Sequence, residues 1–236
     1  MCGISGLLTS KTAPPHRVVE KMVEAQVHRG PDHSGMKRIP TGEGECRLGS
    51  NRLSILDLSS AGHMPMVDPQ TGNTIVYNGE IYNFRELRRE LQACGETFHS
   101  ASDTEVVLKA YGRWGCESVK RFRGMFALAI WDQHRRELFL ARDRLGKKPL
   151  YTCQDSTGDF LFASELRSLL AGGSVTRRID PLSLEAFLFN GFVIAPRTMV
   201  EGVRSLLPGH WMRVDSKGRI VEVCRYWRLP RDVASS

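Results

Sequence analysis

No stretch of the 236-residue chain approaches the roughly 18 consecutive apolar residues that a membrane-spanning helix needs. The N-terminus also lacks the basic segment followed by an apolar one that marks a secretory leader. These two absences predict a soluble, cytoplasmic protein with no membrane partner. No C-x-x-C pair occurs among the six cysteines, Cys2, Cys46, Cys94, Cys116, Cys153 and Cys224. That excludes a zinc ribbon or a thioredoxin-type redox motif, and no metal site is expected. Without an export signal, an even count gives no argument for disulfides. Five of the six read as small buried hydrophobes, and Cys2 differs by its position. Long basic blocks are missing too, although the net charge is +7. The basic residues are scattered in pairs such as Arg88-Arg89 and Arg177-Arg178, a pattern of solvated surface and of no nucleic-acid partner. A G-x-x-x-x-G-K-S/T nucleotide loop is absent, as are internal repeats and low-complexity tracts.

What remains is an ordinary globular composition, 41% hydrophobic and 25% charged, of a length that suits one domain. Residues 3–9 read as a strand directly at the terminus, and 17–27 carry apolar residues at helical spacing. Residues 45–56 read as strand then loop, and 57–73 as a loop. Ile75-Val76-Tyr77 is a short β-prone run that stops at Asn78-Gly79, a pair that marks a tight turn. Phe84, Leu87 and Leu91 give a helix ending near Gly95. Ser102 followed three residues later by Glu105 is a capping-box pattern that starts another. Residues 125–132 and 136–142 pair as strands, 148–154 and 159–163 form a second hairpin, and 211–215 with 219–225 form a third. Short helices are expected at 165–171 and 180–189. The order is mixed α+β, and the hairpins imply antiparallel sheets. Residues 231–236 read as a frayed tail.

The chemistry concentrates at Met1-Cys2-Gly3. Removal of Met1, typical before a small second residue, leaves one residue with both a thiol and a free α-amine. The amine's reference pKa of about 7.7–8.0 leaves a useful neutral fraction near neutrality, so it can accept the thiol proton directly or through a water. Four further strings follow in order: His28-Arg29-Gly30-Pro31-Asp32, Arg52-Leu53-Ser54-Ile55-Leu56-Asp57, Asn78-Gly79-Glu80-Ile81-Tyr82-Asn83 and Ser102-Asp103. A fifth, Arg142-Asp143-Arg144-Leu145-Gly146, closes a strand.

Together with the M-C-G start, these closely resemble the class II glutamine amidotransferases, over residues 2 to about 229. Pro31-Asp32, R-L-S-I-L-D and RDRLGKKPLY look like the branch formed by the glutaminase half of glutamine-dependent asparagine synthetases. The resemblance implies a four-layer αββα sandwich of the N-terminal-nucleophile hydrolase type, with two antiparallel sheets. It implies one type 2 glutamine amidotransferase domain at 2–230, then the tail. It also implies glutamine hydrolysis with Cys2 as nucleophile, through a γ-glutamyl thioester. Arg52 offers a fork for the α-carboxylate of L-glutamine, with Leu53 and the backbone around Ile55 and Leu56 positioning it. Asp103, with the backbone at Gly79 and Glu80, would receive the ammonium. The Asn78 side chain and the Gly79 N–H would face the oxyanion.

Each residue has a plainer reading as well. Asn78-Gly79 alone is a hairpin turn, Arg52 a surface ion-pair partner, and Asp103 a helix-terminal charge that the dipole favours. Glu80 reads as structural, acting through its backbone. His28 and Arg29 are expected to organise the loop beneath the site. His33 departs from the aromatic common in the relatives and is not expected to act as a base.

Asparagine synthetases also carry an ATP-binding Ser-Gly-Gly-x-Asp-Ser loop. Here Gly172-Gly173-Ser174 lacks the following acidic residue and serine. The C-terminal synthetase domain is therefore expected to be absent, and ATP and Mg to belong to it, with no cofactor for glutamine hydrolysis itself. The chain reads either as an excised N-terminal half or as a partner of a separate synthetase chain, with an apolar docking face exposed and a homodimer as one outcome. Two other functions stay open: the same chemistry serving another acceptor (sugar or natural-product amidation), and a degenerate binding module.

Overall fold

The computed structural model describes residues 1–11, 17–42 and 44–230, so the predicted tail at 231–236 lies outside the described residues. Its frame is two six-stranded sheets. The first contains β1 (Gly3–Thr9), β2 (His33–Pro40), β3 (Glu45–Arg52), β8 (Tyr151–Gln154), β9 (Phe160–Ala163) and β10 (Arg204–Ser205), in the order β10-β8-β9-β1-β3-β2. The second contains β4 (Met66–Val67), β5 (Thr74–Ile81), β6 (Gly124–Asp132), β7 (Glu137–Arg142), β11 (His210–Asp215) and β12 (Ile220–Arg225), in the order β12-β11-β7-β6-β5-β4. Every pairing between them is antiparallel. The helices are α1 (Val18–Glu24), α2 (Phe84–Ala93), α3 (Asp103–Trp114), α4 (Ser118–Arg121), α5 (Leu166–Gly172) and α6 (Pro181–Asn190).

The period-two alternation of strand side chains decides the layers. On β6, Ala127, Ala129 and Trp131 join Ile4, Leu8 and Phe162 in a core between the sheets. The alternate residues Phe126, Leu128 and Ile130 face outward, against Leu87 and Leu91 of α2 and Val107 and Tyr111 of α3. On the far side Leu7, Leu161 and Ala163 pack against Val18, Val19 and Met22 of α1 and Leu169 of α5. Helices therefore cover both outer faces, and the expected αββα order is present. Strands buried on both faces need continuous apolar runs, which is why MFALAIW of β6 shows no polar alternation.

Three strands have no counterpart in the sequence reading: β2, β4 and β10. Each is a sheet edge. β2 buries only Ile39, and β4 and β10 are two residues each, so none carries an apolar pattern. The predicted turn at Asn78-Gly79 is also corrected. β5 runs through both residues, paired to β6 at Ala127 and Phe126. Glycine is required there for close approach of strands: a Cβ on Gly79 would lie 2.4 Å from the Met125 carbonyl oxygen and 2.8 Å from Phe126 Cα. The capping box is half formed. Ser102 Oγ accepts from Thr104 N–H at 3.1 Å, but Glu105 reaches further back, to the N–H groups of His99 and Ser100.

Candidate active site

Pairing of β1 with β3 brings Gly3 opposite Asn51, so Cys2 sits beside the segment that leaves β3. The Leu53 N–H donates to Cys2 Sγ at 3.4 Å. The predicted role for the 28–32 loop fits its contacts. Arg29 Nε donates to the Cys2 carbonyl at 3.0 Å, and its Nη1 pairs with Glu165 at 2.9 Å, which also meets His28 Nε2 at 3.0 Å. Asp32 ties the same loop to the segment after β3, accepting from Ser54 N–H at 2.7 Å. His33 stands apart from these groups, stacked on His63 with ring centroids 3.7 Å apart.

A cavity of about 160 Å³, open to solvent, lies beside Cys2. Every residue given a catalytic or substrate-binding role from the sequence lines it: Cys2, Arg52, Leu53, Ile55, Leu56, Asn78, Gly79, Glu80 and Asp103. Met1, Asp57, Met64, Tyr77, Ser102, Thr104, Met125 and Lys148 line it as well. Of these additions, Asp57, Ser102 and Lys148 sit inside strings already noted, but nothing in their spacing marked them as part of the site.

The strand period explains which groups β5 offers. The Tyr77 N–H donates to Met64 Sδ at 3.3 Å and the Ile81 N–H to Asp103 Oδ2 at 3.0 Å, both on the side of β5 away from β6. Gly79 lies midway between them, so its N–H points the same way, out of the ladder. Next to it, Asn78 is 1% exposed and its Nδ2 has no hydrogen-bond partner among the described residues. Buried amide nitrogens without partners are rare, because desolvation is then uncompensated.

Asp103 opens α3, and its Oδ2 also accepts from the Tyr77 hydroxyl at 2.8 Å. Burial pushes its carboxyl above the usual range, while the two donors and a negative Glu80 act in opposite directions on it. No cationic side chain pairs with it among the described residues. Burial likewise raises the Cys2 thiol, opposed by the Leu53 backbone, the amine at residue 1 and Arg52. A thiol so placed needs a base. Burial lowers the residue-1 amine.

Arg52 is buried in the wall, and its terminal nitrogens donate to the Ser59 carbonyl at 3.1 Å and to the Asp57 carbonyl. Its fork is thus partly engaged by the loop after β3, which the sequence reading did not foresee. Asp57 pins that loop: Oδ1 accepts from Ser59 Oγ at 2.6 Å, and Oδ2 from the Ala101 N–H at 2.9 Å, just before α3. The Ser59 hydroxyl and these backbone donors hold Asp57 below the usual carboxylate range. Ile55 and Leu56 form the exposed rim.

The sequence pattern of the glutamine amidotransferase domain matches residues 1–227. The chain belongs to that family. The amidotransferase domain is 36% identical over 97% of its length to glutamine-hydrolyzing asparagine synthetase 3 of Bacillus subtilis, covering 37% of that protein. It is 34% identical, again over 97%, to amidase chry2 of Gibberella zeae, covering 34% of it. The domain thus spans about a third of these relatives. Its fold superposes on glutamine phosphoribosylpyrophosphate amidotransferase from B. subtilis with a TM-score of 0.71, at 18% identity, over 96% of this chain and 49% of that one. The likeness is one of fold: the four-layer sandwich of two antiparallel sheets expected from the sequence.

Among the described residues no helix is long and apolar enough to cross a membrane, and no group of three or more His, Cys, Asp or Glu side chains is placed to hold a metal. Gly172-Gly173 closes α5, with Gly173 at φ 84° as a left-handed C-cap. A phosphate loop precedes a helix N-terminus instead, so these glycines do not fit a nucleotide.

Proposed function

We propose that the domain hydrolyses L-glutamine to glutamate and ammonia through a Cys2 thioester, after Met1 is removed. The observation that carries this is the sharing of one cavity by the Cys2 sulfur, the unpartnered Asn78 amide and the buried Asp103 carboxylate. The freed α-amine takes the Cys2 proton, and sulfur attacks the side-chain amide carbon. Asn78 Nδ2 and the Gly79 N–H receive the oxyanion, the Cys2 α-ammonium gives its proton to the nitrogen as the C–N bond breaks with release of ammonia, and water, deprotonated by the same amine, then cleaves the thioester and frees the thiol. Asp103 and the adjoining backbone of Gly79 and Glu80 take the substrate ammonium. Arg52 and the Leu53–Leu56 segment take its carboxylate, which requires Arg52 to release part of its hold on the loop carbonyls. No cofactor enters these steps. Cys2→Ala is the test: glutamate release falls to background, and undiminished turnover sinks the assignment.

The ammonia is destined for an ATP-dependent synthetase site outside residues 1–230, with asparagine as product and ATP and Mg used there. Relatedness to asparagine synthetases supports this acceptor. The surface of α6 supports a docked partner. Leu182, Phe187, Leu188 and Phe189 of α6 are exposed, Phe189 by 89%, and Phe192 continues the patch. Several large apolar side chains exposed together on one helix mark an interface. The amidase relative favours a second reading, in which the same glutaminase feeds another acceptor. Incubation with a synthetase partner and each candidate acceptor separates the two by the amidated product formed. A degenerate binding module is disfavoured by the presence of both Cys2 and Asn78-Gly79.

A further inference from the structure

Lys148 is 5% exposed and lines the cavity that holds Cys2. Its backbone is fixed: the N–H donates to Asp143 Oδ2 at 2.9 Å, and the carbonyl accepts from Arg142 Nε at 2.8 Å. Its ammonium makes no hydrogen bond or ion pair with the described residues. Asp143 is not its partner, because that carboxylate is filled by backbone donors from Phe126, Leu145, Lys147 and Lys148 itself. Desolvation lowers this ammonium's hold on its proton, and an uncharged side chain of the same length would avoid the cost. Folding therefore gives no reason for lysine at this position, and the cavity does.

We propose that Lys148 is an electrostatic positioning residue of this site: its charge disfavours the protonated form of the residue-2 amine and favours the Cys2 thiolate. This rests on the glutaminase reading above. The step it serves is a proton transfer, in which the S–H bond breaks, an N–H bond forms, and the thiolate keeps the electron pair with which it attacks. A positive charge beside the pair opposes a second positive charge on the amine before the step, so more of the enzyme starts with a free base. The surroundings agree in sign. Arg29 and Lys148 both lower the amine of Met1, one residue before the one the proposal concerns, with Cys2 and Asp32 opposing them. Around the sulfur, Arg52 acts with Lys148, and Asp103 against. The charge of Cys2 also raises Tyr77, and that of Glu80 on β5 raises Lys148.

The test compares wild type with Lys148→Met, Lys148→Gln and Lys148→Arg, all with Met1 removed. Three quantities are followed: iodoacetamide alkylation of Cys2 by mass spectrometry against pH, kcat/KM for glutamine against pH, and Tm. In the Met and Gln variants the acidic limbs of both pH profiles move to higher pH. At about pH 7 alkylation and turnover are about tenfold slower, and the loss shrinks at about pH 9. Lys148→Arg keeps the wild-type limbs, and the Tm of Lys148→Met is not lower than that of wild type. Unmoved limbs in a folded Lys148→Met overturn the proposal while leaving the glutaminase reading intact. Failure of both neutral variants to fold also overturns it, since it makes the charge a structural need. Wild type that neither turns over glutamine nor alkylates selectively at Cys2 removes both.

Discussion

Asn78→Ala isolates the part of the account that depends most on one atom. Asn78 Nδ2 is buried and unpartnered, so the fold gains no hydrogen bond from it. Deleting it removes an uncompensated desolvation of about 1–3 kcal/mol, which offsets the packing lost with the side chain. Net stability therefore changes little, and Tm stays within about 3 °C for a domain of this size. Catalysis does not have that offset. An oxyanion donor contributes about 2.7–4 kcal/mol to the transition state, or about 10²–10³ in kcat. The donor meets charge that appears only after attack, so KM for glutamine changes by less than about threefold. Coupled detection of glutamate gives kcat and KM, and a thermal melt controls for folding. A variant with kcat within threefold of wild type, or one whose whole loss lies in KM, refutes the oxyanion assignment.

Asp103→Asn removes the charge proposed to receive the substrate ammonium. A charged hydrogen bond of about 1.5–3 kcal/mol predicts a KM rise of roughly 10–150-fold with Tm maintained, and an unchanged KM refutes it. Asp57→Asn should lower Tm at neutral pH and have no effect in strong acid. Its folded pKa is depressed, so its contribution is present above the unfolded value of about 3.9 and is lost as pH falls through the folded one. Urea unfolding across that range checks it, and a pH-independent difference contradicts it. On α6, the double change Leu188→Glu and Phe189→Glu should abolish concentration-dependent self-association in sedimentation velocity without altering glutamine turnover. A wild-type domain that stays strictly monomeric counts against the exposed face.

The two-sided strands were readable because a layer buried on both faces demands unbroken apolar runs, and β6 and β7 supply them. Sheet edges carry no such demand, which is why polar β2 and the two-residue β4 and β10 left no pattern. Asn78-Gly79 shows the limit of dipeptide rules. Asn-Gly marks turns through its tolerance of positive φ, yet at Gly79 the requirement is the absence of a Cβ against Met125 and Phe126. Only pairing with a strand about fifty residues away creates it. Cys2, Arg52 and Asp103 were legible as chemistry because each sits in an ordered set of motifs. Lys148 sat in such a motif too, but its importance comes from burial and from the saturation of Asp143 by backbone. Neither is visible before folding. Tyr77 looked like an ordinary β-strand aromatic, and only its hydroxyl's contact with Asp103 sets it apart.

The most direct test of the central claim is where a glutamine-mimicking electrophile attaches. The domain with Met1 removed is treated with 6-diazo-5-oxo-norleucine, digested, and mapped by mass spectrometry, with excess glutamine as competitor. The account predicts one adduct, on the Cys2 sulfur of a peptide beginning at Cys2, suppressed by glutamine and lost in Cys2→Ala. An adduct on any of the other five cysteines, or a fully active enzyme that retains Met1, contradicts it.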